Sequence, residues 1–316
     1  MSNQDIHKAV DIIRNEGIVA FPTETVYGLG GNAYSDKACA AIFAAKGRPS
    51  MNPLIVHVPS VEQAMDLATF NDDAVKLTRL WPGPISFVLP LESYRRPISE
   101  YVTAGLDTIA IRIPAHPVAL KFINSCGVPI AAPSANKSGF LSTTTAKDVY
   151  NNFGDEVFVI DRPVSPEVSY HGIESTIIDL SGEVPMLLRL GFYTQEQIMR
   201  ILDKEVVIAD KDSAVKAPGM LLRHYAPKAP IRLHAVSLES GEVALNFGDN
   251  ILHAEYALNL SESGDLAEAA TNLYEYLHIL DDYALVHAMK IAVAPVPNIG
   301  IGMAINDRLN RAAQSN

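Results

Sequence analysis

Cysteine is nearly missing from this chain of 316 residues: Cys39 and Cys126 are its only two, far apart and in no C-x-x-C pair. That excludes a disulfide framework, a zinc cluster and a thioredoxin-type redox site, and leaves two thiols expected to be buried. Positive charge is also short. The 25 lysines and arginines are outnumbered by 36 acidic residues, for a net charge of −11 and an isoelectric point near 5.3. No basic surface can therefore coat nucleic acid or anionic lipid, and any phosphate site has to be a local cluster. The longest apolar stretch, 291–305, is broken by Pro295, Pro297, Asn298 and Gly300, which argues against a membrane span. The generic signatures G-x-x-x-x-G-K-[ST], G-x-S-x-G and H-E-x-x-H are absent too, so the chemistry has to be read from less common features.

What is present is apolar and well patterned. Hydrophobic residues make up 48% and charged residues 19%, with mean hydropathy +0.11, the balance of a folded chain long enough for about two domains. The N-terminus carries Ile6, Val10 and Ile13 at helical spacing among Asp5, Asp11 and Glu16, and reads as an amphipathic helix and not a signal peptide. A cytoplasmic protein is expected. From Gly17 to about Leu202 the short apolar runs IVAF, LIVHV, ISFVL, TIAIRI, VPIAA, VFVI, STIID and MLLR alternate with helical segments such as KACAAIFAAK and PVALKFINSC. That alternation predicts a layered α/β or α+β domain over 1–205. Spaced prolines and a polar run make 206–230 a linker. Beyond it IRLHAV, VALNF, AEYALNL and MKIAVAPV read as strands, and LAEAATNLYEYLHIL and GMAINDRLNRAA as helices, so 231–316 is a small second α/β unit.

The most informative strand is 108–113, whose strict alternation sends Ile109, Ile111 and Ile113 to one face and Thr108, Ala110 and Arg112 to the other. A mid-strand arginine must be paired with a carboxylate or face a wet cavity that takes an anion, because an unpaired buried guanidinium is costly. The same period turns His57 away from Leu54, Val56 and Val58, as a satisfied structural histidine or a site residue. Just upstream, Lys46, Arg48 and Asn52 sit in a glycine- and proline-bound loop after an alanine-rich helix. The cations suit either the negative end of that helix dipole or a triphosphate. Ser134, Asn136, Ser142 and the run Thr143 to Thr145 bring hydroxyls and amides to a helix start, where Thr145 and Asp148 match a capping box; capping and phosphate binding both use such groups. Arg189 closes another apolar run, and Tyr225 lies in the linker with no amphipathic period to bury it.

Five segments now carry a resemblance: 21–29 (FPTETVYGL), 46–57 (KGRP with NPLIVH), 81–84 (WPGP), 132–136 (APSAN) and 172–176 (GIEST) occur in the order seen in the YrdC family. The linker elements APGM at 217–220 and RHYAP at 223–227, with GIG at 300–302 and NDRLNRAA at 306–313, resemble its two-domain members, the L-threonylcarbamoyladenylate synthases. The chain departs from that pattern at Leu190 and Thr143, where proline is common, and over 164–171.

The resemblance implies an open twisted mixed sheet with helices around a concave site, plus a small Rossmann-like α/β C-terminal domain. It implies formation of threonylcarbamoyl-AMP and diphosphate from ATP, L-threonine and bicarbonate, for a downstream threonylcarbamoyl transferase complex that acts on tRNA. Thr25, His57, Arg112, Ala132 and Ser175 match positions around threonine. Arg48, Asn52, Thr108, Ser134, Ser142, Arg189 and Tyr225 match positions around ATP, with Lys46 and Asn136 as further candidates. Lys46 and Arg48 are the expected charge-stabilising residues, and Tyr225 with 217–227 an expected lid. Mg²⁺ is expected to come with ATP, without an assigned protein ligand. A basic RNA-binding module is disfavoured by the net charge, and a hydrogenase-maturation carbamoyl transferase by the missing cysteine-rich zinc module.

Overall fold

The computed structural model describes residues 3–49, 51–92, 97–161, 168–210 and 225–314. Among these, ten strands form one mixed sheet: β1 (Val19–Phe21), β2 (Gly28–Asn32), β3 (Ile55–His57), β4 (Ile85–Pro90), β5 (Thr108–Arg112), β6 (Ile130–Ala131), β7 (Phe158–Val159), β8 (Thr176–Asp179), β9 (Met186–Arg189) and β10 (Val207–Ile208). The spatial order is β10-β9-β8-β4-β5-β3-β6-β2-β1-β7. β3 runs parallel to β5, with His57 opposite Arg112, and β4 runs antiparallel to β5 and parallel to β8.

The alternation works as the side chains require. Ile109, Ile111, Leu54, Val56 and Val58 enter the main core together with Phe87 and Leu89. Ala110 and Ile55 lie on the opposite face with Val88, Ile177 and Leu188, beside Arg112 and His57. The amphipathic helix Asn3–Arg14 packs with Pro117–Cys126 over Phe21 and Ile130 in a smaller cluster. Helix Asp36–Lys46 is capped by the Ser35 hydroxyl and stopped by Gly47 at φ 61, the left-handed conformation glycine adopts without strain. That stop turns the chain into the Arg48 loop.

The second sheet holds β11 (Ile231–Arg232), β12 (Glu242–Asn246), β13 (Ala257–Asn259) and β14 (Lys290–Val293) in the order β11-β14-β12-β13, all parallel. Helices Leu266–His287 and Ile301–Ala313 cover it. This unit does not stand apart. Val26, Leu141, Ile173 and Tyr225 join Val243, Leu245, Leu273, Tyr274 and Leu277 in one apolar cluster. At Gly172 the approach is backbone to backbone: an added Cβ would lie 2.3 Å from the Thr271 carbonyl oxygen.

The structure adds two strands to those the apolar runs predict. β2 reads GLGGN and carries no β-branched residue; its glycines are needed because a Cβ at Gly30 would meet Phe21 and Ile130 at 2.8 Å. β10 pairs with β9, so the larger sheet extends to Ile208, past the expected boundary at 205. Helix Leu266–His287 also runs one turn and more beyond its expected end. Among the described residues no helix is long and apolar enough to cross a membrane.

Candidate active site

A cleft opens on the β3–β5 face, lined by Thr23, Thr25, Arg48, His57, Arg112, Ala132, Ser134, Glu174, Arg189 and Tyr225, among others. Of the residues expected around threonine, Thr25, His57, Arg112 and Ala132 reach the lining. Ser175 lies beneath it: its hydroxyl shares a hydrogen bond with Ser86 at 2.8 Å and accepts from Arg189 Nη2 at 3.0 Å. Arg112 is paired with a carboxylate and also borders the cleft. Its Nη2 donates to Glu24 at 2.5 Å, Nη1 to the Thr25 hydroxyl at 3.0 Å and Nε to the Gly83 carbonyl at 3.3 Å. The pair keeps a buried cation in register, with one N–H on each terminal nitrogen outside these bonds.

His57 is buried and its Nδ1 has no hydrogen-bond partner. Burial, with Arg112 nearby, pushes its imidazole down to about 3. It is neutral at physiological pH and adds no charge to the cleft.

At the other end, Arg48 donates from Nε to the Asn52 carbonyl and from Nη2 to the Pro53 carbonyl at 2.9 Å. Burial lowers its pKa to about 10, still far above neutrality. Arg189 donates to the Ser175 carbonyl at 3.0 Å. Ser134 and Tyr225 complete this half of the lining. Asn52, expected near ATP, is fully buried outside the lining with both side-chain amide atoms unpartnered, a cost of about 1–3 kcal/mol per group.

Other expected residues fall elsewhere. Lys46 does not line the cleft: its ammonium donates to the carbonyls of Ser134 and Asn136, and burial, then Arg48 and Lys137, lower its pKa well below the usual lysine range. It holds the Ser134 loop in place, and the cations that do reach the lining at this end are Arg48 and Arg189. Asn136 also stays behind the wall, donating to the carbonyls of Lys137 and Phe140. Thr108 is buried on β5 outside the lining. Ser142 donates to Glu174 Oε1. The start of helix Ala146–Phe153 carries its own capping box, Thr145 with Asp148. Of the expected lid, 217–224 lies outside the described residues, and Tyr225 is placed in the cleft wall.

The residues that pattern reading missed are Glu174 and Arg308. Glu174 lies in a quoted motif without a role there; it lines the cleft and accepts from Ser142, Tyr274 and Arg308. Of the departures from the family pattern, 164–167 lies outside the described residues, while Leu190 and Thr143 make backbone contacts. The Leu190 carbonyl accepts from Arg308 at 2.7 Å, and the Thr143 carbonyl from the Tyr27 amide at 2.8 Å.

Three buried guanidinia, Arg48, Arg112 and Arg189, on one hydroxyl-rich cleft of a mixed sheet define an α/β protein with a cationic site at its sheet face, of the kind that suits anionic ligands. The chain belongs to the Sua5/YciO/YrdC family, in its two-domain form. The family described as telomere recombination matches residues 11–191, and the C-terminal domain of threonylcarbamoyl-AMP synthase matches 193–314. Similar curated proteins include the threonylcarbamoyl-AMP synthases of Bacillus subtilis (strain 168), 36% identical over 99% of this chain and 94% of the relative, and Pyrococcus abyssi, 37% identical over 98% and 94%. The solved structure of P. abyssi Sua5 complexed with L-threonine superposes with a TM-score of 0.87 at 36% identity, covering 100% of this chain and 96% of that one.

Proposed function

We propose that this chain is a threonylcarbamoyl-AMP synthase, forming threonylcarbamoyl-AMP and diphosphate from ATP, L-threonine and bicarbonate. The observation that carries the reading is the pairing of Arg112 and Thr25 beside neutral His57 at one end of a cleft whose other end holds Arg48 and Arg189, in a chain that superposes on a threonine-bound relative.

The substrates supply the nucleophiles. Threonine's free amine adds to the carbon of bicarbonate, with loss of water, to give a carbamate. A carbamate oxygen then attacks the α-phosphorus, its new P–O bond replacing the bond to diphosphate, which leaves. Arg112 receives the threonine carboxylate while Thr25 and His57 border the side chain and amine. Because His57 is neutral, it does not compete with Arg112 for the carboxylate or repel the amine. Arg48 and Arg189 hold the phosphates and balance the charge that builds on the leaving diphosphate. Tyr225 shields the nucleotide end from water, which protects a labile mixed anhydride.

The residues present do not form a divalent-metal site: among the described residues no group of three or more His, Cys, Asp or Glu side chains is placed to hold one, and Glu24 and Glu174 are bound to Arg112 and Arg308. Mg²⁺ enters this proposal only as part of the nucleotide substrate. The product suits a threonylcarbamoyl transferase acting on a tRNA adenosine, which makes the chain's link to tRNA indirect and agrees with a cytoplasmic location.

The test is diphosphate release from ATP by the purified full chain. Release should require threonine and bicarbonate together. Release that ignores threonine, or that needs carbamoyl phosphate in its place, overturns the reading.

A further inference from the structure

The least expected charge in the molecule is Arg308. It comes from helix Ile301–Ala313 of the second domain, is 1% exposed, and is the largest fully buried side chain among the described residues. Such a guanidinium is costly to bury unless every arm is engaged. Here the arms reach the first domain: Nε donates to Glu174 Oε2 at 2.9 Å, Nη2 to the Leu190 carbonyl at 2.7 Å, and Nη1 stays on Asp307 at 2.7 Å. Its carbon centre lies 5.2 Å from the Tyr225 ring centroid, within range of a cation–π contact. Tyr274, from the long helix of the same domain, donates to Glu174 Oε2 at 3.1 Å and packs its ring 5.8 Å from that of Tyr225.

Two targets of this cluster, Glu174 of the first domain and Tyr225 of the linker, line the cleft with Arg189. Glu174 is a carboxylate in the wall of a site that has to accept polyphosphate. Left alone it would repel that ligand through a low-dielectric wall. Within the first domain it accepts a hydrogen bond from the Ser142 hydroxyl, which brings no charge, and the cation near it there is Arg189, the same guanidinium the phosphates need.

We propose that Arg308 is a positioning residue for nucleotide binding: the second domain inserts it to neutralise Glu174 and to hold the Tyr225 ring, and so sets the affinity of the cleft for ATP but not for threonine. The proposal rests on the synthase reading for the identity of the nucleotide. At the threonine end Arg112 is bonded to Glu24, Thr25 and Gly83, and Thr25 to Thr23, partners that the Arg308 cluster does not share. The second domain is then a working part of the nucleotide site, acting through charge as well as through packing.

Titration calorimetry of the full-length parent with ATP and with threonine tests this independently of turnover. In Arg308→Met, ATP should bind about ten-fold more weakly or worse, the loss of roughly 1.4 kcal/mol or more that follows from leaving a buried carboxylate unpaired, while threonine affinity changes by less than about two-fold. Adding Glu174→Gln to Arg308→Met should recover most of the lost ATP affinity, because the uncompensated charge is then gone. A purely structural role predicts the opposite: the two substitutions add, or both ligands weaken together, and either result overturns the proposal. Should Arg308→Met fail to fold, Arg308→Lys decides. It keeps the charge but cannot span Glu174 and Leu190 together, so a loss confined to ATP supports the assignment and an equal loss for both ligands overturns it. A parent that binds ATP but shows no threonine-dependent turnover removes the synthase reading while leaving this comparison intact; a parent that binds no ATP removes both.

Discussion

Arg112 answers two demands, and substitution can separate them. Arg112→Ala should abolish threonine binding and also destabilise the fold by about 3–5 kcal/mol, because Glu24 is left buried and unpaired. Arg112→Lys keeps a cation near Glu24 but loses the planar fork that matches a carboxylate. Calorimetry should then show threonine affinity reduced by at least about ten-fold in a chain that still folds. If the lysine variant binds threonine as the parent does, Arg112 serves Glu24 alone.

His57 yields a pH prediction whose sign is set by burial. Its pKa is about 3 in the folded chain, against about 6.5 when unfolded. Between those values the unfolded chain binds the extra proton, so stability is full above about pH 6.5 and falls as pH drops toward 3. At about 1.36 kcal/mol per unit, the loss at pH 5 is roughly 2 kcal/mol. Denaturant midpoints at pH 7 and pH 5 should therefore diverge less in His57→Gln than in the parent. Equal divergence in both would mean that His57 is not held neutral.

At the scale of elements, the segment that leads into β8 carries the contact between the domains. Gly172 has φ 65, and an added Cβ would meet the Thr271 and Ala270 carbonyl oxygens at 2.3 and 2.4 Å. Both atoms are backbone of helix Leu266–His287, so nothing can swing aside. Gly172→Ala should push that helix off the first domain, draw Tyr274 away from Glu174 two residues on, and lower the thermal midpoint. A midpoint equal to the parent's, with an unchanged rate of limited proteolysis, would show that the docking tolerates displacement.

For the whole molecule, the apolar cluster that runs from Val26, Leu141 and Ile173 into Leu273, Tyr274 and Leu277 is shared by both sheets. Two domains with separate cores unfold separately, whereas a shared core loses its apolar contacts from both sides at once. Scanning calorimetry of the parent should give one transition, and Gly172→Ala should split it into two. Two transitions in the parent would make the interface a loose one.

The chain by itself determined its layers and half of its site. All eight apolar runs of the first domain become strands of one sheet, because period-two burial is a local property that side chains carry with them. The same period placed Arg112 and His57 on the open face before any fold was known. Local pattern could not find β2, whose glycines are there to let Phe21 and Ile130 close in, nor could it show that Lys46 would turn to the carbonyls of a loop 88 and 90 residues away. Glu174 and Arg308 lie 134 residues apart, and no periodicity links them. Only the tertiary structure decided which buried cation meets which buried carboxylate, since that pairing depends on how two separately patterned domains pack.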